Sequence, residues 1–267
     1  MDKDDTITLS ARHTRSIVRD THVRGIDVSA AQGQPRWGEV LEDPRGLTFA
    51  WCKATDGDRG KDPSWDYNAR ELAALNGELL YGAYHVTHPS IAAGLTLEQD
   101  ARAEALRLFE VSGKLALPPW VDFEINELDA PRQAAWLRAH VESLREHLGG
   151  QRPILYAGQP MLATLVLCKD WILDYAVIVP AYMNAWLRKE PSGRTVYGPA
   201  LTFEEAERRS SLGKAPLVKP WTTASGWQFS GGLANRKAYL PGNSFQGING
   251  WTDCDIFTTG AWMDLFR

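Results

Sequence analysis

Short apolar segments alternate with longer amphipathic ones through the first two thirds of the chain. The short segments are rich in aliphatic and aromatic residues, which favour strands, and the longer ones carry apolar side chains at helical spacing. Strands are predicted at 23–29, 47–57, 79–86, 120–124, 153–158 and 175–182, and helices at 62–76, 96–111, 131–148 and 160–167. This alternation predicts a parallel sheet with right-handed crossovers, and its repetition favours a barrel.

The pattern changes after residue 182. Residues 183–225 are rich in Pro, Gly, Lys, Arg and Ser, with one helix predicted at 202–211. An irregular insert of this length inside a compact domain is usually functional or disordered. Two short strands follow at 226–230 and 252–257, with no helix predicted between them. We therefore expect these two closing strands to pair antiparallel.

The overall composition is that of an ordinary globular protein. The chain has 267 residues, 44% of them hydrophobic, and a formal net charge of -4, which does not suggest a protein that binds nucleic acid through its phosphates. No segment has the apolar length of a signal peptide or a membrane span. We interpret residues 1–22 as a polar arm and residues 23–267 as a single barrel domain. Cys52, Cys168 and Cys254 lie among apolar or strand-like neighbours and are predicted to be buried thiols.

Two carboxylates end the fourth predicted strand. Asp122 and Glu124 are two positions apart and therefore share one face of the strand, with their Cα atoms roughly 6–7 Å apart. Ending an apolar strand in two acids is costly unless water or a ligand reaches them, and this end of a parallel strand is the usual place for a catalytic site. An isolated pair of this kind also fits a polar strand end that caps the next helix, so the interpretation depends on the other strands.

Polar and aromatic side chains end the other predicted strands as well. Flat aromatic side chains stack on sugar rings, although each of them fits a core position equally well. The eleven tryptophans of the chain exceed what the packing of a core requires. The candidate substrate-binding residues are Tyr84, Tyr156, Tyr182, Trp227, Gln228, Lys53 and Asp56.

The order of these motifs resembles that of glycoside hydrolase family 25, the Chalaropsis-type muramidases. Each motif alone is weak, but the ordered set is specific and extends over roughly residues 23–260. The motifs are G-I-D-V-S at 25–29 with Gln32, K-A-T-D-G at 53–57, G-A-Y-H at 82–85, V-D-F-E at 121–124, Tyr156 with Gly158, Ala181 with Tyr182, W-Q-F-S at 227–230, and Asp253 with Phe257.

The resemblance implies a fold, an activity and a set of site residues. The implied fold is an irregular, flattened TIM-like β/α barrel of about five βα units followed by short antiparallel strands. The implied reaction is hydrolysis of the β-1,4 bond between N-acetylmuramic acid and N-acetylglucosamine in peptidoglycan, without a metal or another cofactor. Glu124 matches the proton donor, and Asp122 matches the residue that orients the substrate's acetamido group or stabilises the transition state. Asp27 and Asp253 match acids that line the pocket.

Several alternatives stay open at this point. Asp122 could attack the sugar directly or position the acetamido group to do so, and an inverting reaction is also compatible with the spacing. The barrel could be a sugar-binding module without turnover, although all four acids are present. A chitinase-like hydrolase would carry further acids before the pair, where Trp120 and Pro118 stand here. An aldolase that uses Lys53 would leave the acidic cluster unexplained.

The chain also departs from the family pattern. Asp56 stands where the family commonly has Glu, the insert at 183–225 is longer than usual, and no repeated wall-binding module follows the barrel. We expect a monomer made in the cytoplasm that reaches the bacterial cell wall by phage-type release or by secretion. It is not expected to bind nucleic acid or to insert into a membrane.

Overall fold

Eight strands form a closed barrel at the centre of the molecule. The computed structural model describes residues 21–90, 94–181, 187–189, 191, 195–197, 201–230, 245–248 and 252–266. In order around the barrel, the strands are β1 (His22–Val28), β11 (Asp253–Thr258), β10 (Gly226–Ser230), β7 (Val177–Pro180), β6 (Ile154–Tyr156), β5 (Trp120–Asp122), β4 (Leu80–Val86) and β2 (Phe49–Asp56). Pairing between β1 and β2 closes the ring, which confirms the predicted barrel.

Only one barrel strand runs against both of its neighbours. The strands from β1 through β7 are parallel around the ring, and β10 continues this series because it pairs parallel with β7. β11 pairs antiparallel with β10 and with β1, so the predicted antiparallel pairing of the two closing strands is confirmed. Because β11 is reversed, its first residue lies at the rim where the parallel strands end.

In the part of the chain that the structure describes, three further strands lie outside the ring. β3 (Gly60–Lys61) extends the edge of β2, and β8 (Leu187–Lys189) pairs antiparallel with β9 (Thr195–Tyr197). This small hairpin lies within the predicted insert, where no strands were expected from the sequence. Residues 1–20 of the predicted arm (1–22) lie outside the described residues, and His22 belongs to β1.

Helices surround the barrel. They are α1 (Trp37–Leu41), α2 (Trp65–Ala74), α3 (Leu97–Ser112), α4 (Ala130–His147), α5 (Leu162–Leu167), α6 (Lys169–Ile172), α7 (Phe203–Ser211) and α8 (Thr259–Asp264). α3 begins at a capping box, in which the Thr96 hydroxyl accepts from the Gln99 N–H and the Gln99 side chain accepts from the Thr96 N–H. The sequence did not predict α1, α6 and α8, which are too short to show a helical repeat. Among the described residues, no helix is both long and apolar enough to cross a membrane.

Alternate residues of each strand point into two separate apolar layers, as strand geometry requires. In β5, Trp120 belongs to the barrel interior and Val121 to the layer under the helices. Aromatic rings fill the lower interior, where Phe49 stacks on Trp262 with ring centroids 4.8 Å apart. Eight of the nine tryptophans that the structure describes are buried, so most of these pack the two layers: Trp37, Trp51, Trp65, Trp120, Trp136, Trp221, Trp227 and Trp262. The three cysteines are free and buried, as predicted.

Gly25 allows an aromatic ring to fill the barrel floor. A Cβ atom at this position of β1 would lie 1.9 Å from Cε2 of Phe49. We therefore expect Gly25→Ala to lower the free energy of unfolding by about 1–3 kcal/mol or more, because the packed ring has to move. Equilibrium unfolding in urea measures this change. Gly38→Ala in α1 is the matched control, since its Cβ meets nothing within 4 Å and alanine favours the helix. Equal urea midpoints for the two variants would contradict the prediction.

Candidate active site

Four predicted acids converge at one rim of the barrel. Asp27 on β1 and Asp253 on β11 are directly paired, which places their Cα atoms about 4.5–5.5 Å apart. Asp122 ends β5, on the other side of the ring, and its charge acts on Asp27 across the barrel interior. Glu124 follows Asp122 and interacts with it electrostatically.

The chain stays extended beyond the end of β5, and this positions the acidic pair. The Phe123 N–H donates to the Tyr156 carbonyl at 2.9 Å, and the Phe123 side chain is fully buried in the layer under the helices. Asp122 and Glu124, on either side of Phe123, therefore face the barrel interior. The two acids therefore share one face of the extended segment, as the sequence predicted.

The two acids differ in their surroundings. Asp122 is half-buried, and among the described residues its buried Oδ1 atom has no hydrogen-bond partner. Burial, and after it the charge of Glu124, raises the pKa of Asp122 well above its usual range, while the charge of Lys53 opposes this shift. Glu124 is exposed at the mouth of the barrel, and the protein around its carboxyl group displaces enough water to raise its pKa. The pair therefore holds a proton at higher pH than isolated carboxyl groups do.

Two consecutive side-chain hydrogen bonds link three strands below the rim of the barrel. The Tyr156 hydroxyl donates to Gln228 Oε1 at 2.6 Å, and Gln228 Nε2 donates to Asp27 Oδ2 at 2.6 Å. Burial, followed by the charges of Asp253 and Asp255, raises the pKa of Asp27 well above its usual range, and the Gln228 bond partly opposes this. The predicted residues Tyr156 and Gln228 are thus placed to hold Asp27 in position.

Tyr84 lines the same interior. Its ring lies 5.7 Å from that of Trp120, and its side chain is 9% exposed. Burial, with smaller contributions from Asp27 and Asp122, raises the pKa of the Tyr84 hydroxyl. The hydroxyl therefore keeps its proton and can donate a hydrogen bond to a ligand.

Lys53 and Asp56 form an ion pair at the end of β2. His88, which the sequence reasoning did not select, joins them through a 2.8 Å contact between its Nε2 and Asp56 Oδ1. Burial alone would raise the pKa of Asp56. The hydrogen bond from Lys53 and its charge outweigh this effect, so the pKa of Asp56 is lowered. The cluster thus places a cation beside the acidic pair, because the Lys53 charge also acts on Asp122.

One of the predicted sugar contacts, Trp227, lies away from the barrel interior. Trp227 packs into the layer under the helices, is 2% exposed, and donates from Nε1 to the Ala181 carbonyl at 3.0 Å. A ring in that position cannot stack on a sugar in the barrel, because neighbouring strand residues point to opposite sides and Gln228 takes the inward position. Tyr182 lies outside the described residues.

Asp255 is an interior acid that the sequence reasoning missed. It lies on β11 two residues after Asp253, on the inward side, and is completely buried. Burial, and after it the charge of Asp253, raises the pKa of Asp255 well above its usual range. The signal was present in the sequence, because Asp253 and Asp255 have the same spacing as Asp122 and Glu124.

A second group of titratable side chains lies outside the barrel wall. His85, Glu104 and His140 are buried together, with His85 Nε2 2.8 Å from Glu104 Oε2. The two imidazole rings are stacked at an interplanar angle of 8°, with centroids 5.3 Å apart. Ring-nitrogen lone pairs lie in the ring plane, so two stacked parallel rings do not direct them at one ion. Thr55 is hydrogen-bonded to His85 Nδ1 at 2.8 Å. The group therefore connects β4 with β2 and α3 through buried hydrogen bonds.

The chain is similar to several known proteins. The family model described as "Glycosyl hydrolases family 25" matches residues 26–233. Lysozyme M1 of Streptomyces globisporus is 39% identical over 72 residues, which cover 27% of this chain and only 23% of that protein. The bacterial lysozyme from Streptomyces coelicolor has a TM-score of 0.62 at 20% identity, covering 88% of this chain and 91% of that one. The modular autolysin LytC of Streptococcus pneumoniae, in complex with a synthetic peptidoglycan ligand, has a TM-score of 0.59 at 19% identity, covering 88% of this chain and 46% of that one. These structural likenesses support the same barrel fold.

Proposed function

The chain belongs to glycosyl hydrolases family 25, and we propose that it is a lysozyme-type peptidoglycan hydrolase. The proposed reaction is cleavage of the β-1,4 bond between N-acetylmuramic acid and N-acetylglucosamine. One observation supports this most strongly: the exposed carboxyl group of Glu124 stands at the barrel mouth beside Asp122, whose buried Oδ1 has no hydrogen-bond partner among the described residues. The first can protonate a leaving oxygen, and the second can accept from an amide N–H.

Glu124 is the proposed general acid. It donates its proton to the glycosidic oxygen as the bond from that oxygen to the anomeric carbon breaks, and the leaving sugar departs as an alcohol. The shared surroundings of Glu124 and Asp122 favour one proton on the pair. Burial and the charge of Glu124 raise the pKa of Asp122, and the charge of Lys53 opposes them. We place the proton on Glu124 because Glu124 is the acid exposed at the barrel mouth.

Asp122 is proposed to orient the 2-acetamido group of the substrate. An amide N–H that donates to Oδ1 would give the buried acceptor a hydrogen-bond partner and would stabilise the ionised form of Asp122. The acetamido oxygen then attacks the anomeric carbon and forms a cyclic oxazolinium intermediate, as in other substrate-assisted hydrolases. Water opens this intermediate and returns a proton to the Glu124 carboxylate, so that the enzyme is regenerated.

The remaining interior residues are proposed to hold the substrate and to stabilise positive charge. Asp27 and Asp253 face Asp122 across the barrel, where negative charge stabilises an oxocarbenium-like transition state. Tyr84 and Lys53 are within the same interior and are proposed to bond sugar hydroxyls. Tyr182 stays a predicted sugar contact, and the monomeric state and the route to the cell wall stay predictions.

Digestion of purified peptidoglycan tests the proposal. We expect new reducing ends on N-acetylmuramic acid after incubation with the protein. The proposed cleavage breaks the bond between the anomeric carbon of this sugar and the oxygen that links it to N-acetylglucosamine, so the anomeric carbon becomes the new reducing end. Reduction with borohydride followed by acid hydrolysis and chromatography identifies the sugar at the new end. Reduced glucosamine would instead show a glucosaminidase, and intact glycan with retained binding would show a sugar-binding barrel.

A further inference from the structure

His88 lies between the end of β2 and the segment that follows β5. Its Nε2 atom is 2.8 Å from Asp56 Oδ1, and its Nδ1 atom is 3.8 Å from Glu127 Oε1. The side chain of His88 is 13% exposed and that of Asp56 is 16% exposed. Polar groups with so little exposure are held by partners in the protein. The contact with Asp56 has the length of a hydrogen bond, and the contact with Glu127 does not.

The backbone around His88 is held on both sides of the ring. The Thr87 N–H and hydroxyl both donate to the Asp122 carbonyl, at 3.0 and 2.9 Å. The His88 N–H donates to Glu104 Oε2 on α3 at 3.3 Å. On the other side the ring lies against Gly57, where an added Cβ would be 2.6 Å from His88 Cδ2. The imidazole therefore has little freedom to turn away from the end of β2.

The carboxylate of Asp56 receives one donor on each oxygen. Oδ2 accepts from Lys53 Nζ, and Oδ1 faces His88 Nε2. A carboxylate in an ion pair has no hydrogen to donate, so the hydrogen of the second bond is on His88 Nε2. The two bonds together fix the plane of the carboxylate and the direction in which it holds the Lys53 ammonium group.

The strand register places Asp56 in the same row as Asp122. Asp56 on β2 pairs with Val86 on β4, and Val86 pairs with Asp122 on β5. Val86 packs in the layer that fills the barrel interior. Paired residues of neighbouring strands point to the same side of a sheet, so Asp56 faces the interior as well, two strand spacings of about 4.8 Å from Asp122. The ammonium group of Lys53 therefore lies on the side of the barrel where the substrate is proposed to bind.

We propose that His88 is a positioning residue of this site. Its Nε2–H holds the Asp56 carboxylate, and through that carboxylate it holds the Lys53 ammonium group in place for the substrate. His88 transfers no proton in this role. The assignment rests on the proposed function, since it requires a glycan bound beside Asp122.

His88→Met and His88→Gln separate the hydrogen bond from the volume of the ring. The two replacement side chains have nearly the same length, but only glutamine carries an N–H donor. We expect His88→Met to lower kcat on peptidoglycan by about tenfold or more, as for a hydrogen bond lost to a charged group, and His88→Gln to keep most of the turnover. His147→Met, at an exposed histidine in the last turn of α4, is the control and should keep full activity. Equal losses in the Met and Gln variants would overturn the proposal.

A double-mutant cycle decides whether His88 acts through Asp56. Asp56→Ala removes the acceptor, so His88→Met should lower kcat no further in that background. A ring that only packs against Gly57 would instead lose the same factor in both backgrounds. Additive losses would therefore overturn the positioning role.

Nitrogen-15 NMR of histidine-labelled protein gives a readout that needs no substrate. The chain has six histidines, and the ring signals of His88 are assigned by their loss in His88→Gln. We expect Nε2 of His88 to have the chemical shift of a ring nitrogen that carries a hydrogen. An unprotonated Nε2 would overturn the proposal. Because this result does not depend on turnover, failure of the hydrogen bond is distinguished from failure of the proposed function.

Discussion

Glu124→Gln is expected to lower kcat on peptidoglycan by about a hundredfold to ten-thousandfold, the usual contribution of a general acid. Glutamine has nearly the same size and cannot give up a proton at a useful pH. The side chain is exposed at the barrel mouth, so the fold and the binding of glycan should be unchanged. Release of soluble reducing sugar measures the loss, and circular dichroism checks the fold. Glu110→Gln replaces an exposed glutamate on α3 and should keep full activity.

The pH dependence of wild-type activity tests the same role of Glu124. The proposed general acid works only when it is protonated, and the pKa of Glu124 is raised. Activity should therefore persist above the usual pKa of a glutamate and fall as the pH rises through the raised value. The residual activity of Glu124→Gln should lack this fall. A well-folded Glu124→Gln protein with near wild-type kcat would remove Glu124 from the proton-donor role.

Asp122→Asn is expected to lower kcat by about a hundredfold to a thousandfold, comparable to the removal of a group that stabilises charge in the transition state. Asparagine keeps an oxygen near the buried Oδ1 position but carries no negative charge to support the acetamido group as it attacks. Without the charge of Asp122, the alkaline fall of activity should also move to lower pH, because the remaining acid loses a like-charged neighbour.

A substrate without the acetamido group separates this role from a structural one. If Asp122 acts through that group, a glycan whose amino groups are deacetylated should be a poor substrate for the wild type and should lose little further activity in Asp122→Asn. An Asp122→Asn effect of the same size on both substrates would contradict acetamido orientation. It would favour Asp122 as a direct nucleophile or as a general stabiliser of charge.

The sequence predicted the barrel well because the alternation of strands and helices is a local pattern. The alternation around Phe123 and the prolines before β5 specify how Asp122 and Glu124 are presented. The same rule, applied strictly, would have shown that Trp227 and Gln228 cannot both face the barrel, and it would have selected Asp255. His88 could not be selected in this way, because its contact with Asp56 depends on how the segment after β4 meets the end of β2 in space.

The reversed strand β11 also constrains when the site can exist. Gln228 and Asp27 lie 201 positions apart in the chain, and the strand between them comes later still. During synthesis, β1 can pair with β2 early. The other edge of β1 stays unpaired until β11 has left the ribosome. Contacts this distant in sequence form late and slowly. A nascent or truncated polypeptide without β11 would therefore lack the assembled acids.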